Sequence, residues 1–195
     1  FAAASAAVLL HLPMPEEMPP AGDFLPLLPP GLRAFALYVQ AHYLYLKEEY
    51  ALSAGMVEGA LAMGAKVYPI PAIYLHLVAV MDYMSLKQTR QAQDHLLAAW
   101  ALAQPDDLIE GFGEHHGLLG GMLEAVIKPR WPGDFDRIIQ ITYQSPPVGE
   151  RFTTRIPETT WRTTFPPPSS PLPCWRHEAG RIRRLPTIWA FRPTR

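Results

Sequence analysis

Glu114, His115 and His116 stand side by side in a stretch with five glycines in eleven residues, Gly111 to Gly121. A carboxylate and two imidazoles are groups that ligate a divalent metal or hand on a proton. Neighbouring positions on a helix, however, point about 100° apart, and no second histidine follows four residues on to complete a metal-binding face. The pattern argues instead for packing. Gly113, Gly117, Gly120 and Gly121 fall at i, i+4, i+7 and i+8, a bare face against which another helix can lie. Each interior glycine costs a helix roughly 0.5–1 kcal/mol, which close packing must offset. His42, His76 and His95 stand singly and are expected as partly buried surface histidines. No glycine-rich phosphate loop precedes a helix, no nucleophile elbow is present, and Cys174, the single cysteine, has no positioned base beside it. No catalytic residue, metal or cofactor is expected, and the chain does not read as an enzyme.

The elements that must carry these residues are helices. From Leu32 to Leu46 and from Tyr50 to Met63, apolar and small residues recur at three and four, as an amphipathic helix requires. Pro69 and Pro71 interrupt the pattern, and Pro71 suits a first turn. A third helix is expected over Ala72 to Leu86 and a fourth over Thr89 to Ala103, stopped by Pro105. Asp106 or Asp107 should cap a fifth that runs unbroken to Ile127 before Pro129 and Pro132. Asp134 should cap a short sixth, Phe135 to Tyr143.

Composition bounds what such a chain can be. Hydrophobic residues at 49% supply a core. One cysteine excludes an internal disulfide and a thiolate zinc site, which favours a reducing, cytoplasmic setting. The longest apolar stretches, Phe1 to Leu10 and Ile70 to Met84, fall short of the ~20 residues of a membrane span. Phe1 and the Ala-rich start read as the end of a preceding helix in a longer protein, without a signal peptide. Charge divides the chain: residues 1–149 carry 8 basic and 15 acidic side chains, a net of −7, whereas 150–195 carry 9 arginines and 3 glutamates, a net of +6, with 8 of the 22 prolines. The expected organisation is therefore a helix end and Pro-rich linker over 1–29, a helical region over 30–143, and an Arg/Pro-rich disordered tail over 144–195. The tail's aromatics, such as Trp161, Trp175 and Trp189, follow no period, so no packed core is expected there. Any DNA affinity of this polypeptide should be sequence-blind and salt-dependent.

Two helix pairs share a register. Ala41, Tyr50, Ser53, Val57 and Ala60 fall at the spacing of a tetratricopeptide, and Val80, Tyr83, Ala92, Leu96 and Ala99 fall in equivalent places, with Ala92 39 residues after Ser53. The fold class expected is all-α: tetratricopeptide-like antiparallel helix pairs in a short α-solenoid. The run from Tyr74 to Tyr143, and above all FGEHHGLLGGMLE (residues 112–124), resembles the helical region upstream of the DNA-binding domain in LuxR-family regulators of MalT-like build. A helix-turn-helix module should follow, and residues 150–195 do not spell one. In a frame displaced by one base, permitted codons over Arg151 to Arg195 can spell the NKEIA turn and SPNT recognition-helix start of such a module, so an out-of-frame tail is expected. The resemblance implies a transcription regulator's sensor or partner-binding region, with DNA contacted only through a domain not intact in this chain. The alternative is a free-standing tetratricopeptide-like scaffold. Carrying the tetratricopeptide spacing over puts Phe35, Tyr38, His42 and Tyr45 on a concave face from the first pair, joined by Tyr74, Leu77, Met81 and Met84 from the second. Rigid aromatics and adaptable methionines there suit a small-molecule effector or the apolar side of a peptide or protein segment.

Overall fold

The computed structural model describes residues 2–9 and 19–144, and every regular element among them is helical. The tail expectations for 145–195 lie outside the described residues. The order is α1 (Ala2–Leu9), α2 (Ala21–Phe24), α3 (Pro30–Leu46), α4 (Tyr50–Ala62), α5 (Pro69–Ser85), α6 (Thr89–Ala103), α7 (Glu110–Glu114) and α8 (Pro132–Gln144). None is long and apolar enough to cross a membrane.

Helix α5 occupies the middle of the fold. Apolar side chains surround it, Leu75 to Met81 are buried on every side, and α3, α4, α6 and α7 pack around it, as an all-round apolar helix demands. It begins at Pro69 rather than Ala72. Prolines fit a first turn because its N–H groups have no intrahelical acceptor to lose. Small residues set how close the neighbours come: Ser53 is fully buried and its hydroxyl donates to the Ala41 carbonyl at 2.9 Å, binding α4 to α3. One core cluster gathers Tyr38, Val39, Val57 and Leu75, with Ala4 and Val8 of α1 laid against it. A second gathers Trp100, Phe112, Leu119, Met122, Phe135 and Ile138 around α6 and the chain beyond it.

The two hairpin turns, α3 to α4 and α5 to α6, share one geometry. Glu48 and Lys87 both adopt the left-handed conformation, at φ 63° and 61°. The next amide reaches back five residues in each case: Glu49 N–H to the Leu44 carbonyl at 3.0 Å, and Gln88 N–H to the Tyr83 carbonyl at 2.8 Å. These bonds occupy carbonyls that a helix end leaves unpaired. All of these positions are offset by the 39 residues that separate Ser53 from Ala92.

The fifth helix does not run through. Asp107 is itself left-handed at φ 58° and closes the helical stretch before it, with the Leu108 N–H donating to the Ala103 carbonyl at 3.0 Å, instead of capping the next helix; α7 starts after Ile109 without a side-chain cap and ends at Glu114. A 3₁₀ turn, His116–Leu118, follows, then Gly120 and Gly121 at φ 60° and 81°, then a π-helical turn, Leu123–Ile127. Positive φ at consecutive residues is open to glycine and ends a right-handed helix. The four glycines therefore do not share one bare face. Helix α8 is longer than expected, starting at Pro132, with Asp134 inside its first turn.

Candidate functional site

The face expected as an open groove is closed by the chain itself. Tyr38, Tyr45, Leu77, Met81 and Met84 are buried, and Phe35, His42 and Tyr74 are half-buried. Residues 109–122 fill the space. Gly111 lies so close to α5 that an added Cβ would stand 3.2 Å from both Leu77 Cδ1 and Tyr74 Cζ, and one on Gly120 would stand 3.1 Å from Met84 Cε. Gly113 serves the other side: a Cβ there would meet Ile141 Cγ2 of α8 at 2.6 Å. Gly117 and Gly121 would meet nothing within 4 Å, so they are not packing glycines.

Polar contacts lock this segment down and send Glu114, His115 and His116 in different directions. Tyr74 O–H donates to Glu114 Oε2 at 2.9 Å; burial, and then the Glu114 charge, hold that phenol well above its usual range. His115 Nδ1–H donates to the Gly111 carbonyl at 2.9 Å, which leaves Nε2 to accept from the Tyr38 hydroxyl at 3.5 Å. His116 pairs with Glu124 at 2.8 Å across the glycine turn. Arg137 of α8 pairs with Asp107, and the Thr142 hydroxyl donates to the Gly113 carbonyl at 3.1 Å. The adjacent trio is a set of three separate fastenings. Among the described residues no group of three or more His, Cys, Asp or Glu is placed to hold a metal ion.

A pocket of about 260 Å³ opens instead among α4, α5 and α6, lined by Glu58, Leu61 and Ala62, by Lys66 from the α4–α5 connection, by His76, and by Asp94, His95 and Ala98. A hydrogen-bonded chain runs along it. His95 Nε2 stands 2.9 Å from Glu58 Oε1, and His95 Nδ1 stands 2.9 Å from His76 Nδ1. A carboxylate only accepts, so a neutral His95 donates from Nε2 and its Nδ1 keeps a lone pair for the His76 Nδ1–H. Tyr83 holds the arrangement: its ring stacks on His95 with centroids 5.4 Å apart, and its hydroxyl donates to Glu58 Oε1 at 3.1 Å. Burial, then the neighbouring His95 and Lys66, push His76 down to about 4, so it is neutral near pH 7. Burial pushes Glu58 up, but the hydrogen bond from His95, which becomes an ion pair when that ring is protonated, and the hydrogen bond from Tyr83 outweigh it and bring the carboxyl below its ordinary range. The assembly is an oriented pair of imidazoles that leaves a ring lone pair on His76 Nε2, with no Ser, Thr or Cys among the pocket's lining residues.

Sequence reasoning treated His76 and His95 as isolated and passed over Glu58. A legible signal did exist: a histidine, and six residues later Asp82, interrupt the otherwise apolar α5. Asp82 is fully buried, and burial pushes its carboxyl up to about 8, only partly offset by Ser53 nearby. Comparison of the chain with protein-family models, curated proteins and solved structures finds no match.

Proposed function

We propose that this chain is the sensor or partner-binding region of a LuxR-type transcription regulator, built from tetratricopeptide-like helix pairs and working in the cytoplasm. It reaches DNA only through a helix-turn-helix domain encoded in the displaced frame. One observation carries the repeat reading: two helix hairpins turn through the same left-handed residue and the same five-residue back-bond, 39 positions apart. The same turn also ends α6, where Asp107 is left-handed and the Leu108 N–H reaches the Ala103 carbonyl at 3.0 Å, so the turn by itself is a common helix ending, and what supports stacked copies of one unit is the 39-residue offset it shares with Ser53 and Ala92. The segment 109–122 then acts as an internal lid on the leading helices, and an effector or partner segment engages the surface that this lid leaves open.

The experiment is to read the gene's nucleotide sequence past the Gln144 codon, and to express the helical region fused to the product of the displaced frame. An uninterrupted frame spelling a helix-turn-helix, and a fusion that protects a discrete DNA site at physiological salt, are the expected results. Stop codons in that frame, or a fusion without site selectivity, overturn the regulator reading and leave a free-standing protein-interaction scaffold.

A further inference from the structure

The lining of the α4–α5–α6 pocket has a chemical polarity that selects a ligand class. Its acceptor residues come from three elements: the Glu58 carboxylate on α4, the His76 imidazole on α5 and the Asp94 carboxylate on α6. Its cation is Lys66, exposed on the connection, and Leu61, Ala62 and Ala98 supply an apolar wall. The direction of the imidazole chain is what makes His76 an acceptor. With His95 neutral, its one ring proton goes from Nε2 to Glu58, its Nδ1 accepts, and His76 spends its own ring proton on that bond. The opposite tautomer of His76 would bring two lone pairs face to face at the 2.9 Å that separates the Nδ1 atoms.

We infer that this pocket binds a small primary amine, whose ammonium donates to His76 Nε2 and is neutralised by the Glu58 and Asp94 carboxylates while its apolar body lies on Leu61, Ala62 and Ala98. An ammonium offers three donors and no acceptor, the complement of these groups. A carboxylate or phosphate would meet two like charges and a lone pair, with Lys66 alone in its favour. The pocket's 260 Å³ lies below the ~300–1,000 Å³ of sites for drug-sized molecules, so the body is fragment-sized. This inference goes beyond the regulator reading and does not depend on it.

The test titrates the full chain at neutral pH with three probes of one shape, cyclohexylamine, cyclohexanol and cyclohexanecarboxylate, read by calorimetry and by amide chemical shifts. The amine should saturate with a dissociation constant of about 1 mM, the alcohol should bind roughly tenfold more weakly, and the carboxylate should not bind. Shifts should centre on Glu58, His76 and His95. Asp94→Asn, at an exposed position, should weaken the amine several-fold with the fold intact, and His76→Gln should weaken it further. Carboxylate binding at the amine's level, absence of saturable amine binding, or unchanged affinity in Asp94→Asn each overturns the proposal. Should His76→Gln fail to fold, Asp94→Asn and the three-probe ranking still decide it.

Discussion

The leading faces of α3 and α5 and the pocket among α4, α5 and α6 make opposite use of their side chains. The first presents Tyr38, Leu77, Met81 and Met84, residues that look ready for a ligand, and the chain's own segment buries them. The second presents Glu58, His76, Asp94 and His95 and stays open. Burial of a large apolar side chain is worth about 1.5–3 kcal/mol, so a face of several such groups draws in whatever covers it, and a tethered segment loses little entropy in doing so. Imidazoles and carboxylates keep their hydrogen bonds in water, so an open polar pocket carries no comparable penalty. An aromatic, Met-rich stripe is thus poor evidence for a binding groove until its cover has been sought within the same chain.

Disruption of the covering segment should have the largest effect. Phe112 is fully buried with its ring edge-on to Trp100 at 5.5 Å, and Phe112→Ala should cost about 3–5 kcal/mol in urea unfolding, with dye binding to the uncovered face. Gly113→Ala places a methyl against Ile141 and the Ile138 carbonyl; since backbone gives way poorly, a loss of about 1–3 kcal/mol is expected by the same measurement. If either change left stability untouched, the face would not depend on its cover.

Asp82 is buried on α5, the helix that serves both regions, and its effect should depend on pH. The folded chain holds the Asp82 proton to about pH 8, whereas the unfolded chain releases it near 4, so stability falls as pH rises across that interval. His76 acts oppositely between about 4 and 6.5: the unfolded chain takes up the proton there, so stability rises with pH. From pH 6.5 to 8 Asp82 therefore acts without His76, and the native chain should lose about 2 kcal/mol there. Denaturant midpoints for Asp82→Asn should lack this slope; a slope equal to the native one would locate it elsewhere. The smallest effect belongs to the pocket rim: Asp94→Ala should alter stability by no more than about 0.5 kcal/mol, and a larger loss would mean that the pocket, like the covered face, is structural.

Helix periodicity located α3, α4 and α6 closely, Thr89–Ala103 to the residue, because amphipathic spacing and the flanking prolines are local signals. The same reasoning read Gly111 to Gly121 as one helix. A glycine that permits close packing and a glycine that breaks a helix look alike in sequence, and the seat of Gly120 on Met84 is a long-range contact. Spacing likewise identified Phe35, Tyr38, Tyr74 and Leu77 as sharing a face without revealing what lies over it.

What the sequence determined alone is the all-helical class and the principal helices, since both follow from interactions within a few turns of chain. The break at Gly120 and Gly121, the closure of the leading face and the Glu58–His95–His76 chain were decided only in three dimensions. These three residues come from separate helices, 18 and 19 positions apart in sequence, and only the packing of α4, α5 and α6 brings their nitrogens and oxygens to 2.9 Å.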